Sequence, residues 1–372
     1  MQERGRWDPG SRGGGYALTD SHEVRIGIIG SGGIAGAHAE RYKKVPGARV
    51  VAVADVIPGR AEQFIERYGF EGAHAFTDHQ EMLKEEMDGV SVCTFNAAHY
   101  QPTIDALQAG KHVLLEKPMA VSLAQGVDMV RTAKRTGRML SIGFQTRYDA
   151  DVINARRIVA SGVLGRIYFA ETGGGRRKGI PGGTFVRRES AIGGAILDIG
   201  CYSIDTAMYV MGNPKPLTVS AVTSDHFGKS PVYSKQAWGG KMRPEDFTVE
   251  DFGMAMVRLE GDAVLVFKIA WAMHADTLGA TFFLGTEGGL NMDEMRLYRD
   301  EFELGVHTDL PKTSSNWGDS FYRKIEAFVA AIRAGGPAPI PGEEILHSTA
   351  IIDAIYRSAQ ERSEVRVEIP PV

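Results

Sequence analysis

The chain is poor in the features that would fix a function early. Its two cysteines, Cys93 and Cys201, lie far apart and match no zinc or disulfide spacing, so no metal site is expected and a reducing cytoplasm is the expected compartment. No apolar run approaches the roughly 20 residues of a membrane helix, and the N-terminus lacks the apolar stretch of a signal peptide. The net charge of -4 gives neither nucleic acid nor an anionic membrane a reason to bind. Internal repeats are absent, and the one biased tract is residues 1–23, rich in Gly and Arg, which read as a flexible extension.

What is present is core-forming material. With 43% hydrophobic and 24% charged residues, 372 residues suffice for two domains. From Val24 onward apolar, β-branched runs at 24–30, 48–55, 89–95, 112–118 and 139–144 alternate with helical stretches near 32–44, 59–68, 99–109 and 122–137. This alternation predicts an α/β unit over residues 24–145, a doubly wound parallel sheet buried on both faces, with ligands at the carboxyl ends of its strands. Past about Gly165 the pattern changes to strands at 167–174, 216–225, 252–261, 263–273 and 278–290 joined by short turns. A large open, mainly antiparallel sheet in a second α/β domain, residues 146–372, is the expectation. Helices near 194–211, 319–334 and 343–362 complete it, and the last two are candidates to pack back on the first domain. Loops 175–193 and 227–248 are long enough to be functional.

The first strand ends in Gly30-Ser31-Gly32-Gly33-Ile34-Ala35-Gly36. Glycines at 30 and 32 allow a tight turn and a close approach of pyrophosphate to the backbone, and free amides at Gly33 and Ile34 open the helix that follows. Asp55 ends the next strand 25 residues after Gly30, the place of a carboxylate that binds ribose hydroxyls and repels a 2′-phosphate. This favours NAD over NADP, with Ile57 beside the site and Arg60 one helical turn on to soften the preference. Lys117 ends a buried strand at the same edge, where an ammonium can hold a substrate hydroxyl and stabilise negative charge developing on it. Glu116 is either its counter-ion or a neighbour of the nicotinamide.

GKHVLLEKPMA, residues 110–120, resembles the Gly-Lys-His-Val-x-x-Glu-Lys-Pro signature of the glucose-fructose oxidoreductase, inositol dehydrogenase and rhizopine catabolism (Gfo/Idh/MocA) family, and the resemblance runs from about Val24 to Pro370. It implies an N-terminal Rossmann domain, a C-terminal domain whose open sheet forms a homodimer or homotetramer interface, a sugar or cyclitol substrate, and a cis Lys117-Pro118 bond. Thr94, Asn96 and His99 resemble the strand-end segment lying against the cofactor, and Gln145 with Arg147 the segment entering the second domain. The family's substrate motif Asp-x-Gly-x-His-x-x-Asp matches Asp198, Gly200 and Asp205, but Tyr202 stands where inositol dehydrogenases carry the catalytic histidine.

Asp198, Tyr202 and Asp205 fall at i, i+4 and i+7, one face of a helix. A tyrosine titrates near 10, and the expectation is that Lys117 lowers that value enough for Tyr202 to serve as the base, with Asp198 orienting substrate or lysine. Arg176 and Phe185 in the preceding loop, with Trp271 and His274 at a strand end, are candidate contacts for a polyhydroxylated ring. The expected reaction is dehydrogenation of a secondary alcohol. Its rivals are a glycosidase using transient oxidation with resident NAD, and a cofactor-sensing regulator without chemistry.

Overall fold

The computed structural model describes residues 23–238, 242–313 and 316–372; the expected extension lies, apart from Glu23, outside the described residues. Six strands, β1 (Val24–Ile29), β2 (Ala48–Ala54), β3 (His74–Phe76), β4 (Gly89–Val92), β5 (His112–Leu115) and β6 (Leu140–Ile142), form a parallel sheet of order β3-β2-β1-β4-β5-β6. The order reverses at β1, so the ends of β1 and β4 open the crevice in which such sheets bind ligands. Short connections keep the crevice aligned: Gly69 and Gly137 end their helices at φ 63° and 64°, and Ser122 caps the start of the helix Leu123–Thr136 by accepting from the Gln125 amide. Strand β3 was not expected, because three residues at a sheet edge leave no periodic signal.

The second sheet holds nine strands in the order β14-β13-β12-β11-β7-β10-β9-β8-β15. These are β7 (Ile167–Gly175), β8 (Pro216–Ser224), β9 (Phe252–Leu259), β10 (Val264–Ala270), β11 (Phe282–Gly285), β12 (Gly288–Asn291), β13 (Arg296–Glu301), β14 (Leu304–Asp309) and β15 (Val365–Arg366). It is mixed, since β7 and β10 pair in parallel while the other pairs are antiparallel. Two corrections follow. The run expected as a single strand at 278–290 is a hairpin, β11 and β12, and the hairpin β13 and β14 escaped notice because its outward residues are mostly charged or polar.

One face of this sheet is covered by helices Ala150–Ala160, Cys201–Met211 and Gly342–Glu361. The helix Trp317–Ala334 turns back to the first sheet, where Phe321, Ile325, Phe328 and Val329 join Val24, Ile26 and Ile28 in one core. Each such side chain removed from water contributes about 1.5–3 kcal/mol.

Candidate active site

Gly30 sits at φ 88°, and a Cβ there would stand 3.0 Å from the Cys93 and Thr94 backbone, so the turn after β1 requires glycine. Gly36 lies under the Tyr68 hydroxyl, which would stand 2.3 Å from a Cβ there and would have to move to admit one. Gly32 and Gly33 differ from both, since a Cβ on either would meet nothing within 4 Å. The helix Gly33–Tyr42 has no side-chain cap, which leaves its first amides turned to this open space, a cradle of the shape and polarity that a diphosphate needs. Asp55 closes one wall. One of its oxygens accepts from Ser31 N and Oγ at 2.9 and 2.6 Å, and the other accepts from Ile57 N at 3.0 Å. Burial works against its charge, but the Ser31 and Ile57 hydrogen bonds outweigh that and hold the carboxyl below its usual range. Val56, Ile57 and Phe95 leave apolar side chains 80%, 45% and 47% exposed around this crevice.

The other half of the site comes from the helical segment packed over the second sheet. Lys117, in a cis bond to Pro118, donates from Nζ to the Asp198 carbonyl at 2.7 Å and to its Oδ1 at 3.2 Å. Asp198 Oδ2 accepts from Trp271 Nε1 at 3.1 Å. The Lys117 ammonium also lies 4.6 Å from the centre of the Tyr202 ring, and the Tyr202 hydroxyl is 2.8 Å from the Gln145 amide. With the amide oxygen on that side, Gln145 also accepts from Trp317 Nε1 at 3.1 Å and donates to the Gly143 carbonyl at 2.8 Å. Asp198 lies in a π-helical turn, Ile196–Gly200, that leads into the helix Cys201–Met211. Glu250 anchors that turn by accepting from Gly194 N, Ile196 N and the Tyr356 hydroxyl at 2.8, 3.1 and 2.9 Å.

The electrostatics correct one expectation. Burial raises the Tyr202 pKa above its ordinary value, and Lys117, which pulls it down as expected, does not offset the burial. Lys117 is itself held above its usual pKa: burial opposes the charge, and Tyr202 with Asp198 outweighs burial. The pair at neutral pH is therefore an ammonium beside a protonated phenol.

Other candidates are placed differently from expectation. Glu116 is not the partner of Lys117. Its buried carboxylate pairs with Lys324 and with His38 Nε2 at 2.8 Å, and although burial alone would raise its pKa, Lys324 and His38 hold it low. His99 is 1% exposed with both ring nitrogens on carbonyls, Pro118 at 2.8 Å and Thr94 at 3.1 Å, so it braces the Pro118 turn rather than facing a cofactor. Arg147 is buried between Asp205, at 2.9 and 2.7 Å, and Glu344, at 2.9 Å, which removes both it and Asp205 from substrate. Trp271 is fully buried and acts on Asp198 instead. Thr94 donates its hydroxyl to the Ala98 carbonyl and Asn96 its amide to the Ala191 carbonyl in the loop after β7, at 2.9 and 3.2 Å. Arg176, Phe185 and His274 remain exposed; Phe185 lies 6.0 Å from the Trp238 ring and His274 bonds the Tyr233 hydroxyl at 3.0 Å.

Sequence reasoning missed Lys324, His38, Glu250 and Trp238. Lys324 left one signal, a lysine at helical spacing among Phe321, Ile325 and Phe328 on an apolar face.

A parallel sheet of this order, an open glycine cradle at its switch point, and a lysine at its edge meeting a carboxylate from the helix laid over a second sheet define a nicotinamide-dependent oxidoreductase. The chain belongs to the Gfo/Idh/MocA oxidoreductase family: residues 24–144 match its NAD-binding Rossmann fold and residues 152–291 its C-terminal domain. It is 31% identical over 357 residues to the D-glucoside 3-dehydrogenase of Escherichia coli (strain K12), covering 94% of this chain and 99% of that one. It is 25% identical over 349 residues to the myo-inositol 2-dehydrogenase of Thermotoga maritima, covering 93% and 99%. Levoglucosan dehydrogenase in complex with NADH has the same fold, with a TM-score of 0.78, 23% identity, and coverage of 93% of this chain and 99% of that one.

Proposed function

We propose that the protein is an NAD-dependent dehydrogenase of a ring hydroxyl on a glycoside, sugar or cyclitol. The observation that carries this reading is the cluster of Lys117, Asp198 and Tyr202, drawn from the end of β5 and from the helix over the second sheet to the edge of the cofactor crevice. The full-length likeness to a D-glucoside 3-dehydrogenase supports a pyranoside as substrate. Gly32, Gly33 and Ile34 would hold the diphosphate, Asp55 the ribose hydroxyls, and Ile57 and Arg60 would flank them; Asp55 favours NAD over NADP. NAD, when bound, supplies the two-electron oxidation.

The protein's own part is to manage one oxygen and one proton. Lys117, steadied by Asp198, donates to the substrate oxygen and stabilises negative charge on it. Tyr202, protonated at neutral pH, delivers a proton to that oxygen in the reducing direction and must lose its own proton first in the oxidising direction. Oxidation therefore accelerates as pH rises above neutral, and reduction does not. Phe185 and His274 would border the ring, and Arg176 the loop above it.

The test is a panel of glycosides, sugars and cyclitols with NAD and NADP, following absorbance of the reduced cofactor. Lys117→Ala and Tyr202→Phe should each lower kcat roughly 10²–10⁴-fold while NAD binding survives; wild-type rates in both variants end the reading. Accumulation of reduced cofactor with the glycosidic bond intact separates it from the glycosidase alternative.

Assembly is part of the proposal. The face of the nine-stranded sheet away from its helices carries Met254, Met256, Val264, Val266, Phe169, Phe282, Leu284 and Tyr298, relieved by the Lys268–Glu171 pair at 2.6 Å. A second copy covering this face in a homo-oligomer suits its apolar character. Among the described residues no helix is long and apolar enough to cross a membrane. Two buried free thiols fit a reducing cytoplasm.

A further inference from the structure

The helix Trp317–Ala334 lies outside both segments matched by the family models, yet it touches both halves of the candidate site. Trp317, Phe321 and Lys324 are spaced i, i+4, i+7 and share one face. Lys324, 1% exposed, places its ammonium on the Glu116 carboxylate and 3.6 Å from the Phe321 ring centre. Phe321 is fully buried, 5.2 Å from the His38 ring and 4.8 Å from the Trp317 ring. Trp317 reaches the Gln145 amide at 3.1 Å, the group that holds the Tyr202 hydroxyl. Beside it on the same helix, Ser320 donates to the carboxylate of Asp149, just past the Gln145 turn.

Glu116 is the residue before Lys117, and its own oxygen accepts from the Lys117 amide at 3.3 Å. Its carboxylate also packs against Gly143, where an added Cβ would stand 2.9 Å from Oε1. The ion pair with Lys324 therefore fixes the strand end from which Lys117 departs, and it does so from a position 208 residues away in the chain. The remaining partners close the network without reaching solvent: His38 Nδ1 bonds Ser91 Oγ at 3.0 Å and Ser91 Oγ bonds the Tyr42 hydroxyl at 2.7 Å, all buried. A closed network of this kind holds geometry; it offers no path for a proton.

We propose that Lys324 and Trp317 are positioning residues of the reaction: one face of this helix sets Lys117 through Glu116 and Tyr202 through Gln145. The proposal rests on the reading of Lys117 and Tyr202 as the groups that handle the substrate oxygen. Displacing either by a fraction of an ångström lowers the rate without removing a chemical group.

The experiment compares Trp317→Phe, Lys324→Met and the paired Glu116→Gln/Lys324→Met enzyme with wild type, reading kcat, KM, thermal midpoint and NAD dissociation constant. Lys324→Met alone strands a buried carboxylate and lowers the midpoint. In the paired variant the midpoint and NAD affinity return to near wild type, while kcat stays roughly tenfold or more below it and KM is unchanged. Trp317→Phe, at a half-exposed site, keeps the midpoint and loses several-fold in kcat. Recovery of kcat together with the midpoint in the paired variant, or a wild-type kcat in Trp317→Phe, overturns the proposal. Should Lys117→Ala keep wild-type activity, the reading of the site fails instead, so the two failures are told apart.

Discussion

Two glycines in the same turn should fail in opposite ways. At Gly30 the backbone is left-handed, φ 88°, and a Cβ would press on the Cys93 carbonyl at 3.0 Å. Alanine there costs about 1–2 kcal/mol for the conformation alone, with the contact added. At Gly32 the backbone is extended, φ -76° and ψ -169°, and a Cβ would meet no protein atom within 4 Å. Gly32→Ala therefore changes stability by less than about 1 kcal/mol, since the lost N-cap preference and the gain from a stiffer unfolded chain nearly cancel. The methyl group instead occupies the space meant for the diphosphate. Loss of one or two backbone hydrogen bonds to a charged phosphate is worth about 1.5–3 kcal/mol each, or roughly ten- to a hundredfold in affinity for the first. Thermal unfolding without cofactor and isothermal titration with NAD read the two effects separately. Gly30→Ala should lower the midpoint; Gly32→Ala should leave it and weaken NAD. A Gly32→Ala enzyme with wild-type NAD affinity would refute the placement of the cofactor in this cradle.

Trp271→Phe keeps a buried ring but removes the donor to Asp198; a hydrogen bond to a charged group is worth about 1.5–3 kcal/mol, so kcat/KM should fall roughly ten- to a hundredfold, and an unchanged value means that Asp198 does not depend on it. His38, enclosed by Ser91, Glu116, Lys324 and Arg41, has its pKa lowered from 6.5 to about 4 by burial and the nearby Lys324. The unfolded chain takes up the proton first, so this contribution to stability is whole above pH 6.5 and is lost as pH falls toward 4, by at most about 1.4 kcal/mol per pH unit. Urea unfolding across that window should show the slope in wild type and a shallower one in His38→Gln; equal slopes discard the assignment. If a second copy covers the apolar sheet face as proposed, Val266→Asp in its middle should lower the mass by light scattering to that of a monomer, whereas a mass equal to wild type would clear that face of the role.

Local pattern carried the first domain because its strands apart from β3 are apolar-rich runs separated by helical stretches, two of which end at a left-handed glycine, Gly69 and Gly137. The glycine turn, Asp55 and the Lys117 edge were legible for the same reason: their chemistry depends on neighbours a few residues away or on the next strand. What stayed hidden depends on distant partners. Arg147 looked available because nothing near it in sequence shows that Asp205 and Glu344 will enclose it. Tyr202 was assigned a lowered pKa from its charged neighbour, and the burial that outweighs that neighbour is a property of the whole packing. Trp271 is a candidate substrate contact in the sequence because a strand-end tryptophan gives no sign of which way its indole turns, and in the fold it turns to Asp198.

The enclosure of Arg147 bears on how the chain passes from one sheet to the next. It stands at the passage from the first domain to the second, gripped by Asp205 and Glu344 and laid 4.7 Å over the Tyr209 ring. With Asp205 and Tyr209 on one helix over the second sheet and Glu344 on another, Arg147 ties the connection between the two sheets to both helices. The loop around residues 183–191 meets the segment after β4 where Asn96 donates to the Ala191 carbonyl, a second point at which the two halves of the chain are joined.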